Sequence, residues 1–173
     1  QGITAFVLKY RLIRTNPAPE MSKMDSTSTA VISLAMQDGL TAMKFVRQNS
    51  ERFGVDPSKI GFMGFSAGGT VTMCTVHNST NETRPNFVIL GYSYAKAVIG
   101  DKIPETRTPI FMVVASDDRF TYQTLDTYAK WLQAGQPAEL HVYEKGGHGF
   151  GTRPQNLPVD NWMEVLIDWL KMH

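Results

Sequence analysis

Short apolar runs alternate with longer stretches of helical periodicity along the whole chain. The runs predict five strands: Ile3–Tyr10, Ile60–Phe65, Asn86–Ser93, Pro109–Ser116 and Ala138–Glu144. Helical spacing predicts the intervening helices: Thr29–Arg52, Ala67–His77, Tyr122–Ala134 and Asn161–Met172. Such alternation is typical of a parallel sheet with crossover helices. We therefore predict one α/β domain over residues 1–173, with a mostly parallel sheet of about five strands.

Composition and charge exclude several classes of function. Lysines and arginines number 17 against 16 acidic residues, a net charge of +1 without blocks of like charge. This balance argues against a nucleic-acid footprint or a basic membrane-binding patch. The apolar runs are too short to cross a bilayer. A single cysteine, Cys74, forms no internal disulfide and offers no zinc spacing, and it favours a reducing compartment such as the cytoplasm. We expect no metal and no organic cofactor.

Ser66 lies in the stretch "GFMGFSAGGT", directly after a predicted strand and before a predicted helix. Gly64 to Gly68 match the pattern G-x-S-x-G, which presents a serine on a sharp strand-to-helix turn. We expect the elbow glycines, Gly64 and Gly68, to prevent collisions with the neighbouring strand and helix. The turn also directs the N–H of Ala67 towards an oxyanion formed at Ser66. The alternative is an ordinary serine in a glycine-rich turn.

Among four histidines, His148 is the candidate base for Ser66. It lies in "EKGGHGFG", a glycine-rich loop after the last predicted strand, where the ring can reach a neighbouring loop. His173 ends the printed sequence, His77 falls late in a helix on its expected solvated side, and His141 lies within a strand.

A base of this kind needs an orienting carboxylate. Asp117 and Asp118 follow the fourth predicted strand, at the same edge of the sheet as Ser66 and His148. The order serine, aspartate, histidine is the chain order of α/β-hydrolases. From position alone either aspartate can take this role.

The sequence resembles the α/β-hydrolase superfamily, in particular its esterase/lipase branch with acetyl-esterase and xylan-esterase-like members. The resemblance rests on "AFVLKYRL", "QDGLTAMKFVRQN", "IGFMGFSAGG", "PIFMVVASDD" and "GQPAELHVYEKGGHGFG", in the family's order. It implies a three-layer α/β fold, Ser66 as nucleophile and His148 as base. The family's pattern G-x-x-D-x-x-V falls best on Asp118, which makes Asp118 the implied acid and Asp117 the alternative.

The resemblance also implies a departure at the N-terminal side. The family carries a His-Gly-Gly-type loop upstream of the strand with which this sequence begins, and that loop supplies a second oxyanion donor. The sequence thus resembles an N-terminally truncated hydrolase, and the strand missing beside Ile60–Phe65 leaves either a gap or direct pairing with Ile3–Tyr10. Loss of one oxyanion donor costs about 2.7–4 kcal/mol in the transition state. A complementing N-terminal segment, a swapped homodimer or a side chain near Ser66 are the open alternatives for the missing donor.

The sequence therefore predicts a serine carboxylesterase that acts on small-molecule esters with short acyl groups, acetylated carbohydrates among them. One alternative is a catalytically silent hydrolase domain that serves as a binding or assembly module. Another is a peptidase of the prolyl-oligopeptidase type, although the chain has no room for that family's gating domain. Dienelactone-type hydrolases commonly use a cysteine nucleophile, whereas the elbow here holds serine.

Overall fold

A computed structural model describes residues 2–12, 26–93, 100 and 102–173, with backbone only for residues 26–29. The chain order of the elements is α1 (Ser26–Gln48), α2 (Ser50–Phe53), β1 (Gly61–Phe65), α3 (Ala67–His77), β2 (Phe87–Gly91), β3 (Ile110–Ala115), α4 (Thr121–Gln133), β4 (Ala138–Tyr143) and α5 (Trp162–Leu170). A 3-10 turn, Pro158–Asn161, leads into α5. None of the helices within the described residues is long and apolar enough to cross a membrane.

The strands form one parallel sheet in the order β1-β2-β3-β4. Each strand lies next to its successor in the chain, with a crossover between them. Because all four strands run the same way, the loops that follow β1, β2, β3 and β4 emerge at one edge. That edge is where open α/β sheets place their ligands.

Strand β3 is the centre of the core, and all six of its residues are buried. Successive side chains of a strand point to opposite faces. Phe111 and Val113 accordingly join the apolar cluster that contains Trp162 and Trp169 of α5. Ile110 and Met112 join a second cluster with Met73 of α3 and Trp131 of α4. Helices thus cover both faces of the sheet, which confirms the predicted α/β class with parallel strands and helices.

The predicted first strand is wrong: Ile3–Tyr10 forms no strand, and the described residues hold four strands rather than about five. The direct pairing of this segment with β1 that we considered is also absent. An apolar run becomes a strand only where a partner supplies ladder hydrogen bonds and covers its faces. Val7 is instead 98% exposed, and the segment contacts helices through Phe6 on Phe53 and Arg11 on Asp38.

The other predicted elements are confirmed with shifts of a few residues at their ends. Helix α3 has the predicted bounds, whereas α1 begins at Ser26 and the helical stretch after it is interrupted near Asn49. Residues 14–28, which hold two prolines and many small polar residues, are predicted to form a loop. Residues 14–25 lie outside the described residues, and residues 26–28 belong to α1.

Candidate active site at the carboxyl edge of the sheet

Ser66 occupies a sharp turn between β1 and α3. Its backbone angles, φ of 49° and ψ of −120°, lie in a region that residues other than glycine rarely adopt. The Ser66 N–H donates to the carbonyl oxygen of Gly91, the last residue of β2, at 3.0 Å. Strained backbone of this kind persists where the surroundings determine it, and it concentrates at functional sites.

The two elbow glycines differ in what surrounds them. A Cβ on Gly64 would lie 2.2 Å from the carbonyl oxygen of Gly68, so the expected steric reason holds at this position. Within the described part of the chain, a Cβ on Gly68 would meet only the Tyr10 hydroxyl, at 4.0 Å. The predicted collision at Gly68 is therefore wrong. The second close approach falls on Gly69 instead, where a Cβ would lie 2.3 Å from Oγ of Ser93.

His148 joins Ser66 to Asp118. Its Nε2 lies 2.8 Å from Ser66 Oγ, and its Nδ1 lies 2.8 Å from Asp118 Oδ2. An ionised carboxylate only accepts hydrogen bonds, so the ring proton belongs on Nδ1. The lone pair on Nε2 then faces the serine hydroxyl, which donates to it. This is the arrangement in which an imidazole can take a proton from a serine.

Asp118 and Asp117 take different positions although they are neighbours. The side chain of Asp118 is completely buried, and its second oxygen, Oδ1, accepts from the Phe120 N–H at 2.7 Å. A buried carboxylate needs such partners on both oxygens. Asp117 is exposed, and its Oδ1 accepts from the Gly147 N–H at 2.8 Å. The structure therefore places Asp118 against the imidazole ring and Asp117 against the backbone of the His148 loop.

Two aromatic rings that sequence reasoning did not assign to the site flank His148. The Tyr92 ring centroid lies 5.1 Å from that of His148, and the Phe120 centroid lies 5.2 Å away, both in edge-to-face geometry. Tyr92 follows β2 directly and has a positive φ of 36°. Burial raises the pKa of its hydroxyl. The signal that could have revealed Tyr92 is an aromatic residue immediately after a buried strand, at the edge that carries Ser66.

The other three histidines and the single cysteine have contacts of their own. His77 Nδ1 lies 2.8 Å from the carbonyl oxygen of Met73, and its other ring nitrogen contacts the Lys102 carbonyl, so His77 is half-buried rather than solvated. His141 contacts Glu139 and stacks on a core phenylalanine, and His173 packs on a tryptophan. Burial raises the pKa of the Cys74 thiol to about 11, which keeps it a protonated, unreactive group near neutral pH.

Ala67 begins α3 and is exposed at the site. In the part of the chain that the structure describes, its N–H donates to no acceptor. Unpaired N–H groups in the first turn of a helix attract negative charge. This group can therefore serve as an oxyanion donor beside Ser66.

Comparison with known proteins identifies the family to which this chain belongs. Residues 4–167 match the dienelactone hydrolase family. An acetylxylan esterase from Xylanibacter ruminicola is 27% identical over 206 residues, which cover 99% of this chain and 39% of that protein. The chain thus spans about two fifths of the length of this curated relative.

Solved structures show the same fold. A sugar hydrolase from Lactococcus lactis matches with a TM-score of 0.74 and 24% identity, over 82% of this chain and 69% of that one. The acetyl ester-xyloside bifunctional hydrolase of Caldicellulosiruptor lactoaceticus matches with a TM-score of 0.69 and 24% identity, over 80% and 65%. A carboxylesterase from Lactobacillus plantarum matches with a TM-score of 0.67 and 18% identity, over 82% and 68%.

The resemblance to α/β-hydrolases is confirmed by these matches. The chain belongs to the dienelactone hydrolase family of the α/β-hydrolase superfamily.

Proposed function

We propose that this chain carries the catalytic residues of a serine carboxylesterase for short-chain acyl esters, with acetylated carbohydrates as the substrate class. The observation that carries the proposal is the unbroken hydrogen-bonded path from Ser66 Oγ through His148 to the buried Asp118. Similarity to an acetylxylan esterase and to an acetyl ester-xyloside bifunctional hydrolase supports the acetylated-carbohydrate class.

The chemistry follows from the positions of these groups. Ser66 Oγ attacks the ester carbonyl carbon as His148 Nε2 takes its proton. The imidazolium returns that proton to the leaving alcohol, which leaves an acyl group on Ser66. Water, deprotonated by His148, then attacks the acyl carbonyl. The bond between Ser66 Oγ and the acyl carbon breaks, the imidazolium returns its proton to Ser66 Oγ, and the carboxylic acid leaves. Asp118 holds the ring in this tautomer and stabilises the imidazolium that forms twice in each cycle.

The Ala67 N–H stabilises the oxyanion that forms in both halves of the reaction. The positive end of α3 adds to this effect, because the helix dipole favours negative charge there. The second oxyanion donor comes from one of the three sources named in the sequence analysis: a complementing N-terminal segment, a swapped homodimer or a side chain near Ser66. One side-chain candidate is Tyr10, whose hydroxyl would lie 4.0 Å from a Cβ placed on Gly68 in the first turn of α3.

The experiment compares hydrolysis of p-nitrophenyl acetate, p-nitrophenyl butyrate and acetylated xylo-oligosaccharides by the unchanged chain and by Ser66→Ala. Ser58→Ala is the matched control, since the Ser58 hydroxyl hydrogen-bonds to Asp56 in a turn before β1, at the opposite end of that strand from Ser66. We expect hydrolysis to fall to background in Ser66→Ala and to persist in Ser58→Ala. Equal rates for the unchanged chain and Ser66→Ala would contradict the proposal.

A catalytically silent binding module is the second candidate. It is favoured by one observation: among the described residues no strand pairs with the outer edge of β1, the strand that carries Ser66. An intact fold with no Ser66-dependent hydrolysis of any of these esters would support that candidate.

A further inference from the structure

The loop that presents His148 has almost no side chains with which to hold itself. Gly146, Gly147 and Gly149 surround the histidine, and two of them have positive φ, +65° at Gly147 and +81° at Gly149. Glycines lose more conformational freedom on ordering than other residues. The fixed position of the His148 ring therefore depends on contacts supplied from outside the loop.

Three polar side chains supply those contacts to the loop backbone. Gln155 Nε2 donates to the Gly146 carbonyl oxygen at 3.1 Å, and an Arg153 guanidinium nitrogen donates to the Gly149 carbonyl oxygen at 2.6 Å. Both follow the loop closely in the chain. Asp117 is different, because it reaches the Gly147 N–H at 2.8 Å from the end of β3, across 30 positions.

The end of β3 thus holds the histidine loop with two adjacent carboxylates. Asp118 Oδ2 contacts the ring of His148, and Asp117 Oδ1 contacts the peptide N–H of the residue before it. Neither carboxylate can replace the other: the Asp118 side chain is buried and hydrogen-bonded to Nδ1 of the ring, whereas Asp117 is exposed at the loop backbone.

We propose that Asp117 is a positioning residue for His148: it fixes the Gly147 peptide so that the imidazole lies between Ser66 and Asp118. This inference rests on the proposed function for its kinetic consequence. It assigns to Asp117 the role of hydrogen-bond acceptor, for which its negative charge is not required. Two variants separate the acceptor oxygen from the negative charge. Asp117→Asn keeps an acceptor oxygen without the charge, and Asp117→Ala keeps neither the oxygen nor the charge.

The kinetic experiment measures kcat and KM for p-nitrophenyl acetate. We expect kcat of Asp117→Ala to fall about tenfold to a hundredfold with KM nearly unchanged, since misplacement of a catalytic group by about 1 Å costs up to this much. Asp117→Asn should recover most of the rate. Asp168→Ala is the matched control, since it removes another exposed carboxylate, which forms an ion pair with Lys171. Loss of rate in Asp117→Asn as large as in Asp117→Ala would overturn the proposal.

A second readout does not depend on catalysis. The proton on His148 Nδ1, which is hydrogen-bonded to Asp118, should give a low-field resonance in the proton NMR spectrum. Its absence from the spectrum of His148→Ala assigns it. We expect this resonance and slow exchange of the Gly147 amide in the unchanged chain and in Asp117→Asn, and loss of both in Asp117→Ala. Unchanged signals in Asp117→Ala would overturn the inference even if Ser66 proved to have no esterase activity. Loss of the signals in a chain without Ser66-dependent hydrolysis would support the positioning role while contradicting the proposed function.

Discussion

The His148 loop and the segment Gly2–Leu12 are both poor in regular structure, but their contacts differ. Gly146, Gly147 and Gly149 of the loop each donate or accept a hydrogen bond with a polar side chain, and the ring of His148 lies between two aromatic rings. Within the described residues, the N-terminal segment forms an ion pair between Arg11 and Asp38 and a ring contact of Phe6 with Phe53, while Val7 is almost fully exposed. Side chains that follow the loop in the chain, together with Asp117 at the end of β3, fix the loop, whereas no strand of the described residues pairs with the N-terminal segment.

The largest effect is expected from breaking the contact that orients His148. Asp118→Asn keeps the size of the side chain but can no longer compensate the charge of the imidazolium, and its amide can favour the wrong ring tautomer. We expect kcat for p-nitrophenyl acetate to fall by about 10⁴-fold. Asp117→Asn, one position earlier, is the matched control and should retain most of the rate. Similar losses in both variants would contradict the different roles of the two carboxylates.

A smaller effect tests the packing of the elbow. Gly64→Ala brings a methyl group within 2.2 Å of a backbone oxygen, which has no freedom to rotate away. We expect the free energy of unfolding to fall by about 1–3 kcal/mol or more, measured by urea denaturation. Gly68→Ala has open space and a helical position, so it should leave stability unchanged or raise it by up to about 1 kcal/mol. Equal destabilisation in both variants would contradict the described geometry of the turn.

The smallest effect is expected in the N-terminal segment. The hydrogen bonds from Arg11 lower the pKa of Asp38 in the folded chain, so this pair contributes stability above the unfolded pKa of aspartate, about 3.9. The contribution is lost as the pH falls through the lower folded pKa. We expect Arg11→Ala to lower Tm slightly at pH 7, with a difference that disappears in acid. The pair is exposed, and high salt should reduce the difference as well. A difference that stays constant from pH 7 to pH 3 would show that Arg11 acts through packing alone.

The sequence was sufficient to predict the parts of the fold that depend on local pattern. Strands β2 and β3 are buried apolar runs, and α3 follows an elbow whose glycine pattern is itself a local signal. Because parallel strands end at one edge, the same pattern predicts that Ser66, the two aspartates and His148 lie near one another. The structure adds their distances, while their catalytic roles remain predictions.

What the sequence could not predict depends on neighbours that are distant in the chain. The apolar pattern of Ile3–Tyr10 does not reveal whether a strand lies beside it, and the described residues place none there. The family resemblance favours Asp118, but the residues alone do not separate it from Asp117, because the choice depends on which carboxylate is buried and hydrogen-bonded to His148 Nδ1. No sequence motif marks Tyr92 as a site residue, because its contact with His148 joins loops that follow two non-adjacent strands, β2 and β4.

The most direct test of the central claim is the reaction of a fluorophosphonate serine probe with the unchanged chain and with His148→Ala, followed by mass spectrometry of the labelled peptide. The hydrogen-bonded path from Ser66 to Asp118 predicts one equivalent of adduct, on Ser66, and little or none in His148→Ala under the same conditions. Absence of the adduct from the unchanged chain, or equal labelling of both chains, would contradict the claim that His148 activates Ser66.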